Sequence, residues 1–301
     1  MSIDANRDAM ISFTETQHTD TYEFISTKHD DLSGRFVFIT GASKGIGREA
    51  ALTFARAGCS KIAIGARSGL SDLATELKQA ASDAGCKEPP QILALTLDVQ
   101  SEDSVKAAGN AIAQGFGGSL DILINNAGYL EQWLPLAESN PLDWWLTFEI
   151  NLRGTYLVSR YCLPMLLKSE LKTNVLVSSY GALCLTPGGA AYQTSKFAVT
   201  RLAENMATQY AGQGLVCFSL HPGSVPTELA GNMPEFMHGI LVDKPALPAH
   251  TLVWLTKERR TWLSGRFVSV NWDMEQLERK RDGIVKGDLL KFRMTHDVSL
   301  E

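Results

Sequence analysis

The sequence predicts an α/β fold: a single doubly wound, Rossmann-like domain in which helices flank a seven-stranded parallel sheet. Seven short apolar runs recur along the chain, with helix-length segments between them: RFVFIT, KIAIGA, ILALTLDV, DILINNAG, NVLVSS, LVCFSL and RFVSVN. Strands that are buried on both faces need such continuous runs, and parallel neighbours need a long crossover segment. A glycine-rich turn joins the first run to a helical segment, which is the order of elements in a doubly wound domain.

The chain divides by composition into an arm, a domain and a tail. Residues 1–33 are polar and lack periodicity, which predicts an N-terminal arm on the surface. The apolar runs fall within residues 34–272, the predicted Rossmann-like domain. Residues 273–301 are rich in charge and have helical spacing, so we expect a C-terminal helical extension rather than a second domain.

Two long helices are predicted in the second half of the domain. The first begins at Asn140, a residue type suited to the N-cap, has Pro141 at its first position and extends to about Lys172. Pro164 is expected to kink or interrupt this helix because proline lacks the N–H of the helical ladder. The second helix is predicted over residues 190–210.

Bulk properties limit the partners of the protein. A net charge of -5 argues against nucleic acid, whose binding needs clustered Lys and Arg. The chain has no apolar run of about 18 residues to span a bilayer, and Asp4 and Asp8 are not typical of a signal or transit peptide. We therefore expect a cytoplasmic protein without a nucleic-acid or membrane partner. Reduced thiols and no metal site are predicted because the five cysteines lack metal-ligand spacing: Cys59, Cys86, Cys162, Cys184 and Cys217.

The glycine-rich turn has the features of a diphosphate-binding loop. It lies between a strand and a helix in FVFITGASKGIGREAALTFARAG. Gly41, Gly45 and Gly47 permit a tight turn and close approach of a diphosphate, and the helix N-terminus offers unpaired N–H groups. Glycines can also merely turn a chain, but the flanking strand and helix favour a dinucleotide site.

The end of the second apolar run favours NADP(H) over NAD(H). A carboxylate at this position would hold both ribose hydroxyls and repel a 2′-phosphate. Ala66 stands there instead, Arg67 follows, and Lys44 lies within the glycine turn. Each cation alone could be a solvated surface charge, but two cations that converge on a phosphate form a coherent site.

The next two strand ends offer further polar groups to a ligand. Asp98 closes the third apolar run, where it could accept from an adenine amino group or cap the following helix. The turn NNAG, residues 125–128, follows the fourth run, at the edge of the sheet where open α/β folds bind ligands.

A tyrosine and a lysine four residues apart form a candidate catalytic pair. Tyr192 and Lys196 lie on one face of the second long helix, within reach of a common ligand. Alone, this spacing also fits a buried tyrosine beside a lysine that extends to solvent. The pair gains weight from Ser179 at the end of NVLVSS and Asn151 in EINLRGTY.

These motifs resemble those of the short-chain dehydrogenase/reductase family. The resemblance covers roughly Leu32 to Asn271, where TGASKGIG, LDV, NNAG, INLRG, VSS, YQTSK and HPGSVPT occur in the family's order and spacing. The arm, the GRFVSVNWD ending and the charged tail are similar to those of fungal members of the family. The resemblance implies one Rossmann-like domain that associates through its two long helices as a homodimer or homotetramer.

The resemblance also implies roles for individual residues. Tyr192 is the implied general acid/base and Ser179 the partner of the substrate oxygen, while Lys196 binds the nicotinamide ribose and Asn151 holds a relay water. A neighbouring ammonium and the positive nicotinamide ring would favour the phenolate of Tyr192. Taken together, the residues discussed so far and those in the family's other motifs give the full set of expected cofactor contacts. They are Gly41, Ser43, Lys44, Gly45, Ile46, Gly47, Arg67, Asp98, Val99, Asn125, Ala127, Gly128, Tyr192, Lys196, Pro222, Gly223, Val225 and Thr227.

Residues 228–248 are expected to cover the substrate as a lid, since this is where the family varies. An apolar pocket is predicted from the lid residues and one residue on the opposite wall: Met233, Phe236, Met237, Leu241 and Trp133. Ordinary packing of a surface helix is an equal alternative for the lid. We expect NADP(H)-dependent reduction of a hydrophobic carbonyl, such as a fungal secondary-metabolite ketone. The alternatives are a dehydratase, epimerase or cyclase on the same scaffold, or a protein that senses the cofactor.

Overall fold

A seven-stranded sheet runs through the centre of the protein, whose computed structural model describes residues 12–294. All neighbouring strands are parallel, in the order β3-β2-β1-β4-β5-β6-β7, which confirms the predicted sheet. The order reverses between β1 and β4, and such a switch point leaves a crevice at the carboxyl ends of the strands. The strands are β1 (Phe36–Thr40), β2 (Lys61–Ala66), β3 (Gln91–Thr96), β4 (Ile122–Asn125), β5 (Thr173–Val177), β6 (Val216–His221) and β7 (Phe267–Ser269).

Helices cover both faces of the sheet. Side chains alternate along β1, so that Val37 and Ile39 join one apolar cluster with α1, α2 and α7, while Phe38 joins another with α3 and α5. The helices are α1 (Gly45–Arg56), α2 (Ser71–Asp83), α3 (Glu102–Gly115), α4 (Pro141–Phe148), α5 (Thr155–Leu166), α6 (Ala190–Gln209), α7 (Ala246–Thr256), α8 (Met274–Arg279) and α9 (Arg281–Lys286). No helix of residues 12–294 is both long and apolar enough to cross a membrane.

The first predicted long helix is divided, but not where the sequence indicated. Asn140 caps α4 as expected, because its side chain accepts from the N–H groups of Leu142 and Asp143. The interruption is a wide π-helical turn, Glu149–Gly154, between α4 and α5. Pro164 lies inside α5, which continues to Leu166, so an interruption at Pro164 was wrong. The missing N–H of Pro164 removes one bond of the helical ladder, but α5 continues past it.

The arm and the tail are packed against each other and against the sheet. Thr14 and Ile25 of the arm are buried, and Gln17 forms an antiparallel bridge with Trp272, just after β7. The backbone N–H of Lys244, beside α7, donates to the carbonyl of Thr19 at 2.7 Å. Residues 1–11 and 295–301, which belong to the predicted arm and tail, lie outside the described residues.

Candidate active site

A cleft of about 620 Å³ opens at the carboxyl ends of the strands. It extends from the glycine turn after β1 to α6, and the loops after β2, β3, β4 and β6 form its walls. The structure brings most of the predicted cofactor contacts to this cleft: Gly41, Ser43, Lys44, Gly45, Ile46, Arg67, Asp98, Val99, Ala127, Gly128, Tyr192, Lys196, Pro222 and Thr227. Among residues 12–294, no group of His, Cys, Asp and Glu side chains is arranged to hold a metal ion.

The glycine turn is shaped by close packing against the end of β4. Gly41 has a φ of +65°, a conformation that favours glycine. A Cβ at Gly47 would overlap the carbonyl oxygen of Gly41 and lie 2.5 Å from Asn126 Nδ2. Asn126 in turn donates to the carbonyls of Thr40 and Gly41 at 3.0 and 3.2 Å. The glycines therefore form a cradle of closely packed backbone at the N-terminus of α1, which fits a diphosphate.

Four predicted contacts lie outside the walls of the cleft. Gly47 packs against the carbonyl of Gly41 and the side chain of Asn126. Gly223, with a φ of +83°, packs against Asp243. Val225 is buried. Asn125 is also buried, and its Nδ2 donates to Asn174 Oδ1 at 2.9 Å and to Ser159 Oγ at 3.2 Å. Asn126, which the prediction omitted, lines the cleft where Asn125 does not.

The two predicted phosphate-binding cations have different surroundings. Arg67 is exposed at the wall of the cleft, beside Ala66. Lys44 Nζ lies 2.5 Å from Glu228 Oε2, at the start of the lid. Both side chains of this pair are more than half exposed, so the ion pair contributes little stability and Lys44 can exchange its partner. Glu228 was not predicted to face the cleft.

Asp98 is not a helix cap. Its Oδ1 accepts from the Gln100 N–H at 3.0 Å, whereas Ser101 caps α3 by accepting from the Ser104 N–H. The alternative that Asp98 caps this helix was therefore wrong, and the residue remains on the wall of the cleft.

Three of the four predicted catalytic residues meet at one end of the cleft. Tyr192 and Lys196 project from the first turns of α6, with Lys196 Nζ 5.6 Å from the centre of the Tyr192 ring. Ser179, which follows β5, hydrogen-bonds to the side chain of Tyr192. Lys196 Nζ donates to the Val177 carbonyl at 2.9 Å. An ammonium group has three protons, so Lys196 retains donors for ribose hydroxyls.

Burial has the largest effect on the pKa values of Tyr192 and Lys196 in the protein without its cofactor. It raises the pKa of Tyr192, the hydrogen bond from Ser179 acts in the opposite direction, and the charge of Glu131 raises the pKa further. Burial also lowers the pKa of Lys196 to about 8. The sequence argument favoured phenolate, but desolvation is the larger effect here because it disfavours the charged form of both side chains.

Asn151 holds two parts of the site together. It is buried in the π-helical turn, where Oδ1 accepts from the Tyr129 N–H at 2.8 Å. Its Nδ2 donates to the Tyr129 carbonyl and to Ser195 Oγ at 2.9 and 3.0 Å. Both protons of the amide are thus used within the protein. A Cβ at Gly128 would lie 3.5 Å from Asn151 Oδ1 and 3.7 Å from Lys196 Nζ, so both groups flank the same point.

The residues predicted to line a substrate pocket do not line this cleft. Trp133 packs on Gly189, where a Cβ would lie 2.8 Å from the indole ring. Phe236 is 78% exposed. The lid instead contributes Leu229 and Asn232, together with Glu228; Met233, Met237 and Leu241 are not among the lining residues. The lid segment here is a series of short turns, so helical spacing did not indicate which side chains face inward.

A buried carboxylate beside the catalytic pair escaped the sequence analysis. Glu131 is 4% exposed, and its Oε1 accepts from the backbone N–H of Tyr192 at 2.9 Å. The available signal was an acidic residue within the apolar stretch YLEQWLPL that follows NNAG.

A second unpredicted feature connects the arm to the loop after β6. Asn271 Nδ2 donates to the His18 carbonyl at 3.0 Å and to Asp243 Oδ2 at 2.9 Å. The same carboxylate oxygen accepts from the Ser224 N–H at 2.6 Å. Ser224 lies in this loop between Gly223 and Val225, two of the expected cofactor contacts. The arm therefore supports this loop through two side chains.

The fold and the cleft define a class of proteins, the Rossmann-fold oxidoreductases. A family model described as short chain dehydrogenase matches residues 35–237, and the chain belongs to this family. Short chain dehydrogenase citE of Monascus ruber is 50% identical over 277 residues, which are 92% of this chain and 94% of the relative. Short chain dehydrogenase pigC of the same organism is 44% identical over 286 residues, 94% of each chain.

Solved structures support the same assignment. The 3-ketoacyl-(acyl-carrier-protein) reductase of Brucella melitensis, complexed with NADH, has a TM-score of 0.69 and 27% identity, over 80% of this chain and 98% of that one. A short chain dehydrogenase of Shigella flexneri, complexed with NADP, has a TM-score of 0.71 and 28% identity, with the same coverage. Family members with this fold thus bind either nicotinamide dinucleotide.

Proposed function

We propose that the protein is an NADP(H)-dependent reductase that converts a carbonyl group of a hydrophobic small molecule into an alcohol. The observation that carries this proposal is the cleft with a diphosphate cradle at one end and Tyr192, Ser179 and Lys196 at the other. The matched family, short chain dehydrogenase, supports the reaction class.

The side chains have distinct tasks in this reaction. The bound cofactor supplies a hydride to the carbonyl carbon. Tyr192 donates its phenolic proton to the carbonyl oxygen, and Ser179 donates a hydrogen bond to the same oxygen as negative charge develops. Lys196 holds the ribose hydroxyls with its remaining donors. The phenolate left on Tyr192 then regains a proton from water, so the sum is one hydride and one proton added to C=O.

The preference for NADP(H) is assigned to two side chains. Arg67 faces the cleft without an acidic neighbour at Ala66, and Lys44 has only an exposed ion pair with Glu228 to give up. We expect the double variant Lys44→Ala, Arg67→Ala to raise the Kd of NADPH about 10- to 100-fold, since a hydrogen bond to a charged group contributes about 1.5–3 kcal/mol. The Kd of NADH should change little. Fluorescence titration with both cofactors measures this, and equal effects on both would contradict the assignment.

The substrate is proposed to be an apolar ketone, such as a fungal secondary metabolite. The walls near Lys196 include Leu229, whose side chain would lie 3.7 Å from a Cβ at Gly128, and the neighbouring Leu130. Asn232 Nδ2 donates to the Leu130 carbonyl at 3.4 Å and joins the lid to the opposite wall. Apolar side chains such as Leu229 and Leu130 near Lys196 suit a hydrophobic carbonyl compound.

Carbonyl reduction is tested by following NADPH absorbance with the purified full chain. A panel of hydrophobic ketones, quinones and aldehydes is supplied in turn, with Tyr192→Phe as the control. Consumption of NADPH that disappears in the variant is the expected result. Substrate turnover with no change in nicotinamide absorbance would overturn the proposal in favour of a dehydratase, epimerase or cyclase. A partner-binding effect that survives in the variant would instead indicate a cofactor sensor.

We further propose that the protein acts in the cytoplasm as a homodimer or homotetramer, without a nucleic-acid or membrane partner. Leu142 and Trp145, three residues apart on one side of α4, are 83% and 61% exposed. Exposed apolar residues of this size that adjoin on one helix face are typical of a protein interface. Sedimentation velocity of the full chain should give at least twice the monomer mass, and a monomer at micromolar concentration would contradict this proposal.

A further inference from the structure

The first turn of α6 is capped by a side chain from another part of the chain. The first N–H groups of a helix have no partner within the helix and need an acceptor. Gly189 holds the N-cap position and has no side chain to offer. Glu131, in the loop after β4, takes this part: Oε1 accepts from the N–H of Tyr192, the third residue of α6, at 2.9 Å.

The carboxylate of Glu131 is itself held in place. Its Oε2 accepts from Thr147 Oγ1 at 3.3 Å, and Thr147 is fully buried in α4. Glu131 is 4% exposed, so little water competes for its oxygens. A negative charge is stabilised next to a helix N-terminus, where the helix dipole is positive. The two hydrogen bonds therefore connect α4 and α6 through one buried carboxylate.

We propose that Glu131 is a positioning residue for Tyr192, which fixes the first turn of the catalytic helix and places a negative charge beside the proton donor. This inference rests on the proposed function, in which Tyr192 donates the proton. A backbone bond at Tyr192 itself constrains the point from which the phenol projects, and small displacements of a catalytic group have large effects on rate.

Charge is the second part of the role. Within the described part of the chain, the charged and titratable groups around Tyr192 and Glu131 are Lys196 on α6, Asp143 on α4 and Tyr129 in the loop after β4. Asp143 is occupied by the Tyr129 hydroxyl at 2.6 Å and the Gln132 N–H at 3.1 Å. Burial raises the pKa of Tyr192 most, and Glu131 adds to this. The carboxylate thus disfavours phenolate and retains the proton that reduction consumes.

Two substitutions separate position from charge. Glu131→Gln keeps an oxygen that accepts from the Tyr192 N–H but removes the charge. Without that charge the phenolate is less disfavoured, so the apparent pKa of Tyr192 should fall. In the reductive direction the protonated phenol is the active form. The high-pH limb, where kcat/KM declines, should therefore move to lower pH, while kcat on the low-pH plateau stays within about threefold of the wild type.

Glu131→Ala removes the hydrogen bond as well. We expect kcat to fall about 10- to 100-fold at every pH because the first turn of α6 loses its acceptor, with the Kd of NADPH unchanged. Glu138→Gln is the matched control, since Glu138 is exposed in the same loop and loses the same charge. It should leave both the pH profile and kcat as they are.

The measurements are pH profiles of NADPH oxidation and fluorescence titrations of NADPH. An unchanged profile in Glu131→Gln, together with wild-type kcat in Glu131→Ala, overturns the positioning role. If Glu131→Ala does not fold, the profile of Glu131→Gln alone decides. Failure of the proposed function is distinct, because the wild type would then turn over substrate with no change in nicotinamide absorbance, whatever the Glu131 variants do.

Discussion

Replacing Tyr192 by phenylalanine is expected to lower kcat for carbonyl reduction by about 10²- to 10⁴-fold, the usual contribution of a positioned general acid. The substitution removes only the hydroxyl group, which hydrogen-bonds to Ser179 at the end of the cleft. Phenylalanine fills the same space beside the Lys196 side chain, so NADPH should bind with nearly its wild-type Kd. Stopped-flow measurement of NADPH oxidation under single-turnover conditions separates the chemical step from binding and product release.

Tyr161→Phe is the matched control for this experiment. This variant also loses a phenol hydroxyl, but the hydroxyl of Tyr161 bonds to Glu102 on the surface. Neither residue lines the cleft. Its kcat should equal that of the wild type. A Tyr192→Phe enzyme that retains more than a tenth of wild-type kcat would falsify the role of Tyr192 as the proton donor.

Replacing Gly47 by alanine is expected to abolish cofactor binding and to destabilise the fold. The new methyl group would overlap the Gly41 carbonyl, which is backbone, and lie 2.5 Å from Asn126 Nδ2, which two hydrogen bonds to the carbonyls of Thr40 and Gly41 hold in place. Overpacking of this kind costs about 1–3 kcal/mol or more. Because the atoms that must move are those that shape the diphosphate cradle, we expect the Kd of NADPH to rise at least 100-fold.

Gly283→Ala provides the comparison. Gly283 also lies within a helix, α9, but a Cβ there would meet no atom within 4 Å. Alanine is the better helix former by about 1 kcal/mol, so this variant should be as stable as the wild type or slightly more so. Thermal unfolding and NADPH titration of both variants test the argument. Wild-type NADPH affinity in Gly47→Ala would show that the turn tolerates a side chain.

The fold and the catalytic pair could be predicted because their signals are local in sequence. Strands buried on both faces require continuous apolar runs, and all seven runs became neighbours in one parallel sheet. Tyr192 and Lys196 are one helical turn apart, so any helix in this segment brings them together. The strand, turn and helix around Gly41 likewise determine the shape of the cradle without help from distant residues.

Other parts of the site depend on contacts between distant segments. Asn125 is the last residue of β4 and faces the core, whereas Asn126 turns toward the glycine loop. Successive residues of a strand face opposite sides, so an error of one position exchanges the roles of two neighbours. Glu131 is separated from Tyr192 by 61 residues, and no spacing rule connects a loop to the helix that it caps. The Lys44–Glu228 pair is more remote still, since 184 residues separate its members in sequence.

The contacts between arm and tail have a consequence for how the protein is made. His18 and Asp273, joined at 2.8 Å, are 255 residues apart in sequence. Asn271 hydrogen-bonds to both His18 of the arm and Asp243, and Asp243 in turn accepts from the N–H of Ser224. During synthesis His18 precedes Asp273 by 255 residues, and contacts of such long separation form late. The loop after β6, which contains Ser224, should therefore gain its final shape only after Asn271 has been synthesised, which delays cofactor capture until the segment that follows β7 has left the ribosome.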